Sequence, residues 1–182
     1  EPKVIDDIVN KPVQSGQPWA YDPHSVVYRH GGAGNNWAVG YQMCSVEFLE
    51  ECLDKVCREM EHCDISPVIT IVQSIAGGTG SGFGTAMTEE VGDLYSHLAR
   101  MNIVVAPYHF GEVVVQNYNA VLSFAKISAA SNAVVVFENE VAHDLSKSMR
   151  GVEHPSIGDL NDTSGSVLAP FLLPKKGVSG VS

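Results

Sequence analysis

Five glycines, Gly77, Gly78, Gly80, Gly82 and Gly84, crowd into the run AGGTGSGFG, whose only hydroxyl side chains are Thr79 and Ser81. Glycine lacks Cβ and tolerates positive φ, so successive backbone N–H groups can converge on an anion. A helix starting directly behind such a run adds unpaired first-turn N–H groups and a positive dipole end, which suits a phosphate. The other use of the same residues is a tight strand-to-helix turn in which glycine only permits close packing. The Lys of GxxxxGK[ST] is missing, which excludes a Walker-type loop. A second glycine stretch, residues 29–36 (RHGGAGNN), could face the same ligand.

Positioning these loops is the work of the flanking elements. The run 67–75 is apolar and β-branched (Val68, Ile69, Ile71, Val72, Ile75) and predicts a buried strand ahead of the glycines. Behind them Phe83, Met87, Val91, Leu94, Leu98 and Met101 recur at spacings of three and four, predicting an amphipathic helix as far as Met101. Further strands are expected at 26–28, 103–106 and 133–137, and helices from Trp37 or Tyr41 to His62, at 117–130 and at 139–149. Residues 1–24 carry Pro2, Pro12, Pro18 and Pro23 and read as connecting structure with at most one helical turn near 4–9. Four strand–helix repeats predict an α/β fold with a doubly wound, mostly parallel sheet, and ligands beyond the carboxyl ends of its strands.

Bulk properties narrow the chemistry. At 182 residues and 45% hydrophobic content the chain can bury a core, and its formal net charge of −10 argues against a nucleic-acid surface. A phosphate would have to be met by backbone amides and a metal ion rather than by clustered lysines. Cys44, Cys52, Cys57 and Cys63 form no CxxC pair and read as reduced thiols. No stretch has the apolar length of a membrane span and EPKVIDD is no signal peptide, so a soluble intracellular protein is expected. His30, His109, His143 and His154 show no nucleophile–base spacing. A dinucleotide-dependent oxidoreductase would need an acidic residue about 20 positions beyond the glycines, and the next strand ends at Ala106-Pro107-Tyr108 without one.

The segments GAGNNWA (32–38), GGTGSG (77–82), VVVQNYNAVLS (113–123), ENE (138–140) and GDLN (158–161) together resemble the tubulin family over residues 1–161. GEVVVQNYN (111–119) and AGGTGSG are most similar to its delta-tubulin branch, a centriole and basal-body member. The resemblance implies a Rossmann-like GTPase domain that binds GTP or GDP with Mg²⁺. It implies assembly with other tubulin subunits in microtubules or centriolar structures, nucleotide as an assembly switch, and a place in the cytoplasm, cytoskeleton and centriole or basal body. It puts Ala33, Gly34 and Asn35 near the γ-phosphate and Ser74, Gly78, Thr79 and Gly80 at the phosphates. Glu112 and Gln116 fall at the ribose, Asn139 and Asn161 at the guanine edge, and Glu1 beside the Mg²⁺. An Asn amide offers a donor and an acceptor, which suits guanine's adjacent O6 and N1–H.

Departures from the family pattern carry expectations of their own. Ile157 stands where the family has an aromatic ring stacked on the base, so stacking is replaced by weaker apolar contact. Glu112 and Gln116 occupy positions where other members carry acids; Glu112 keeps an acceptor, and Gln116 can still accept from a ribose hydroxyl. The family's leading GQCGNQ-type loop and its strands do not precede Glu1, which reads as a piece of a longer protein. The two missing strands would lie between 26–28 and 68–75, and a sheet lacking its middle is expected to be unstable in isolation. GDLN starts a helix that Gly165, Pro170 and Pro174 should not continue, so 1–161 is expected to form a partial GTP-binding domain and 162–182 a divergent tail. The residue that would position an attacking water lies outside the chain, so hydrolysis by it alone is expected to be negligible. A structural module that has lost nucleotide binding is the alternative reading.

Overall fold

The computed structural model describes residues 2–16, 19–42, 46–65, 68–109, 111 and 113–172. Its helices are α1 (Pro2–Gln14), α2 (Trp37–Gln42), α3 (Val46–Glu61), α4 (Gly84–Leu94), α5 (Gln116–Ala130), α6 (Asn139–Arg150) and α7 (Ile157–Leu172). Three strands, β1 (Val68–Ser74), β2 (Ala99–Ala106) and β3 (Ala133–Glu138), form one sheet in that order. β1 and β2 run parallel, with Val68 opposite Ala99 and Ser74 opposite Val105. The fold class is α/β, as expected, with three strand–helix repeats rather than four. The chain divides into two compact units, Glu1–Val136 and Phe137–Ser182.

In the first unit the core is Ile75, Val104 and Ile127, with Ala106, Ala120 and Val134 against it. β1 is not covered on both sides: Val68, Thr70, Val72 and Ser74 are exposed while Gln73 is buried. Gln73 Nε2 donates to Asn102 Oδ1 at 2.7 Å, and Asn102 Nδ2 donates to Ser131 Oγ at 2.8 Å, so β1 and β2 are also joined through buried amides.

Several elements differ from expectation. Residues 26–28 form no strand. Asp22 caps a short 3-10 turn, Pro23–Ser25, and side chains on either side then tie the chain to α3, Ser25 Oγ to Glu59 and Arg29 to Glu51 at 2.7 Å. The single long helix expected to reach His62 is two helices, α2 and α3; residues 43–45 lie outside the described residues. The helix behind the glycines stops at Leu94, and Leu98 and Met101, though in helical register, belong to a turn and to β2. Arg100 fixes that early strand start: its backbone N–H donates to Asn132 Oδ1 at 2.8 Å and its Nε to the Ala130 carbonyl at 2.7 Å. α1 spans 13 residues instead of one turn, with Pro2 at its first position, where a missing N–H costs nothing.

In the second unit α7 continues through Gly165 to Leu172, against the expected break after Asn161. Ser156 and Asp159 cap each other, with Ser156 N–H to Asp159 Oδ2 at 2.8 Å and Asp159 N–H to Ser156 Oγ at 3.3 Å. Buried Thr163 meets buried Ser146 of α6 hydroxyl to hydroxyl at 2.6 Å, so α7 is held by tertiary contact as well as propensity. Pro170 falls in the last turn, where few backbone bonds remain to be broken. Residues 173–182 lie outside the described residues.

Candidate nucleotide site

The loop ahead of α2 is left-handed at three points, Gly31 (φ +99°), Gly34 (+56°) and Asn35 (+55°). Asparagine is the non-glycine type that adopts this region most readily. Ala33 is buried, Asn36 N–H closes the turn on its carbonyl at 3.0 Å, and Asn36 Oδ1 caps α2 by accepting from Ala38 and Val39 at 2.9 and 3.3 Å.

The second loop follows β1 and enters α4 through a wide π turn, Thr79–Phe83. Ser81 Oγ donates back to the Gly77 carbonyl, and Thr85 and Thr88 hydroxyls donate to Ser81 and Gly84 carbonyls at 2.5 and 2.8 Å. The two loops meet backbone to backbone. A Cβ on Gly78 would lie 2.6 Å from Ala33 Cβ and 2.7 Å from Asn36 N; a Cβ on Gly40 of α2 would overlap the Gly78 carbonyl, and one on Gly82 would overlap main-chain atoms of α2. Gly80 is equally close to the Ser74 carbonyl, whereas Gly77 is open, its nearest neighbour Asn35 Oδ1 at 3.6 Å. Close packing is therefore a second use of several of these glycines.

A cleft of about 610 Å³ opens where the loops meet. Ala33, Gly34, Asn35, Gly78 and Thr79 all line it, together with Arg29 and His30 at the start of the first loop. Arg29 is ion-paired with Glu51 and lies 5.1 Å over the Phe48 ring. Phe48 and Phe83, rings 4.9 Å apart, form an apolar wall. Ser74 and Gly80 are not among the lining residues; Ser74 Oγ accepts from Ala76 N–H at 3.3 Å.

Asn119 on α5 is the residue that sequence reasoning did not single out. Only 3% exposed, it donates through Nδ2 to the Asn35 carbonyl at 2.8 Å and to the Ala76 carbonyl at 2.9 Å, while Oδ1 accepts from Trp37 N–H at 2.9 Å. One turn on, Ser123 Oγ donates to the Ser81 carbonyl at 3.0 Å. Gln116, Asn119 and Ser123 are spaced by three and four, so the buried face of α5 is polar over its first half before Ile127 joins the core, and that spacing was the signal available in the sequence. The outward residues are the apolar ones, with Tyr118 74% and Val121 68% exposed.

Gln116 has its amide nitrogen committed to the Tyr108 carbonyl at 2.7 Å, and a Cβ on Gly111 would collide with its Oε1. That bond engages only the amide nitrogen, and the ribose role would use the other end of the side chain, the Oε1 acceptor. Glu112 and Glu1 lie outside the described residues. In the second unit, Asn139 is the first residue of α6, Ile157 is the first of α7 and 78% exposed, and Asn161 is exposed on the second turn of α7.

Beside the loops, Tyr41 stacks on Trp37 with rings 4.6 Å apart and donates to Glu89 Oε2 at 2.5 Å. Lys126 Nζ donates to Glu89 Oε1 at 2.9 Å and to the Tyr41 hydroxyl at 3.1 Å. The hydrogen bond to Glu89 raises the Tyr41 pKa against the opposing pull of Lys126, and the same carboxylate raises that of Lys126. Among the described residues no three His, Cys, Asp or Glu side chains are grouped to hold a metal, and no helix is long and apolar enough to cross a membrane.

Residues 1–147 match the Tubulin/FtsZ family, GTPase domain. The chain is 38% identical to the tubulin delta chain of Canis lupus familiaris over 180 residues, covering 99% of this chain and 40% of that one. It is 37% identical to the tubulin delta chain of Homo sapiens over 174 residues (96% and 38% covered), and 34% identical to the tubulin beta-1 chain of Colletotrichum gloeosporioides over 171 residues (93% and 37%). The chain thus spans about two fifths of the length of these curated relatives. With two glycine loops closed on one cleft and this match running through both, the chain belongs to the Tubulin/FtsZ family, and residues 1–147 are its GTPase-domain segment.

Proposed function

We propose that this domain binds a guanine nucleotide, GTP or GDP, with the phosphates between the two glycine loops. The single observation that carries the reading is that both loops, 45 residues apart in the chain from Ala33 to Gly78, line one cleft and touch through their backbones. Left-handed turns at Gly34 and Asn35 and the first turn behind Gly78 supply main-chain donors, and Arg29 adds a cation at the rim. Ala33, Gly34 and Asn35 serve the γ-phosphate and Gly78 and Thr79 the others, while Ser74 and Gly80, which do not line the cleft, shape the loop behind them. Glu112 and Gln116 are assigned to the ribose, Asn139 and Asn161 to the guanine edge, and Ile157 to the base face. Mg²⁺ would neutralise phosphate charge, held mostly by phosphate oxygens and water with Glu1 nearby, which requires no dedicated protein cage.

The whole protein then works as a tubulin, assembling with other tubulin subunits in the cytoskeleton, with nucleotide state ordering the interface loops. The similarity to delta chains supports a place in centriole, basal-body and microtubule organisation. The test is calorimetric titration of the intact protein with GTP, GDP and ATP in magnesium buffer. A preference for the guanine nucleotides is expected. Equal affinity for ATP, or no binding, overturns the proposal and leaves a structural module.

A further inference from the structure

We infer that Asn119 is the positioning residue that sets the separation of the two glycine loops, and so decides whether one triphosphate can touch both. The inference rests on the nucleotide reading above and adds to it a residue that touches no ligand. Its geometry is unusual in what it joins. One side-chain amide bonds the carbonyl of Asn35 in the first loop, the carbonyl of Ala76 in the second, and the N–H of Trp37 that opens α2. Both carbonyls face the nitrogen and the single N–H faces the oxygen, so all three bonds are satisfied in one amide orientation and in no other.

The side-chain chemistry is correspondingly restrictive. Aspartate would set a second oxygen against two carbonyl oxygens. Serine could not span the three partners, and leucine would leave three backbone groups in a buried place without partners. The tie is also short and rigid, because α5 is anchored on either side of it, by Gln116 to the Tyr108 carbonyl and by Ser123 to the Ser81 carbonyl. Nucleotide that bridges the loops therefore meets a gap of fixed width, and ligand contacting neither loop is indifferent to it. That difference separates positioning from general support of the fold.

The experiment compares GTP with GMP on the intact protein in magnesium buffer, since only the triphosphate reaches far enough to engage both loops. Asn119→Ser and Asn119→Asp are expected to weaken GTP about tenfold or more while GMP changes by less than about threefold. Asn117→Ala, exposed on the same helix, is expected to change neither. Equal weakening of GTP and GMP overturns the positioning role and leaves Asn119 a structural residue. A wild-type protein that binds no guanine nucleotide overturns the underlying reading instead. Should the variants fail to fold, amide exchange of the unaltered protein decides. Slower exchange at Trp37 N–H with GTP but not with GMP supports the tie as the coupled element, and no GTP-specific slowing there overturns it.

Discussion

Gly77 and Gly78 are neighbours with opposite tolerance for a methyl group. A Cβ on Gly78 would sit 2.6 Å from Ala33 Cβ, 2.7 Å from Asn36 N and 2.9 Å from Asn36 O, whereas one on Gly77 would find only Asn35 Oδ1, at 3.6 Å. Carbon contacts are comfortable at roughly 3.5–4.0 Å, so Gly78→Ala must drive the loops apart by about 1 Å. None of the three obstructing atoms is the end of a flexible side chain; two are backbone and the third is the Cβ of buried Ala33. Relief would pull on the Asn119 tie and on the cap that Asn36 gives α2. Overpacking of this kind costs about 1–3 kcal/mol, and a 2 kcal/mol loss lowers the melting temperature of a domain this size by roughly 4–8 °C. Gly77→Ala should stay within about 1 kcal/mol of the parent. Thermal unfolding of the two variants followed by near-ultraviolet circular dichroism makes the comparison. Equal melting temperatures would refute the claim that the loops are closed on each other through Gly78.

Alkaline pH should act through the Tyr41–Glu89–Lys126 cluster. Both Tyr41 and Lys126 have folded pKa values raised above their ordinary 10.0 and 10.5, so their stabilisation is complete below pH 10 and is lost as pH climbs through the raised values. Melting temperature of the parent should therefore fall more steeply above pH 10 than that of a Tyr41→Phe, Lys126→Met double variant; parallel slopes would count against the linkage. In the second unit, Thr163→Val leaves the buried Ser146 hydroxyl without its 2.6 Å partner, a loss of about 1–2 kcal/mol, visible as faster amide exchange across α6 and α7.

The two glycine loops were legible because their signals are local. A β-branched run, dense glycines and a 3.6-residue apolar period occupy one continuous stretch, 67–94, and each reports on its own neighbourhood. Residues 26–28 show the limit: Val26, Val27 and Tyr28 have strand propensity, yet pairing depends on distant partners, and Ser25–Glu59 and Arg29–Glu51 bind the segment to α3 instead. α7 was underrated from glycine and proline content although Ser156-x-x-Asp159 wrote a cap into the sequence, and the Ser146–Thr163 contact that supports it lies between residues 17 apart. Asn119 was hidden differently. Its helix was expected at nearly the right place, but the spacing of Gln116, Asn119 and Ser123 marks an inward row only once amides and hydroxyls are read as buried, and apolar periodicity points instead to Tyr118 and Val121 on the outer side.

That arrangement in the first half of α5 reverses the usual rule for redesign. Improving the helix by making its inner row greasier and its outer row charged would erase the amide that joins three main-chain groups, while changing Tyr118 or Val121 to glutamate or lysine would touch nothing inside the domain. Substitution scores weighted by hydropathy will accordingly misrank this helix, tolerating the damaging changes and penalising the harmless ones.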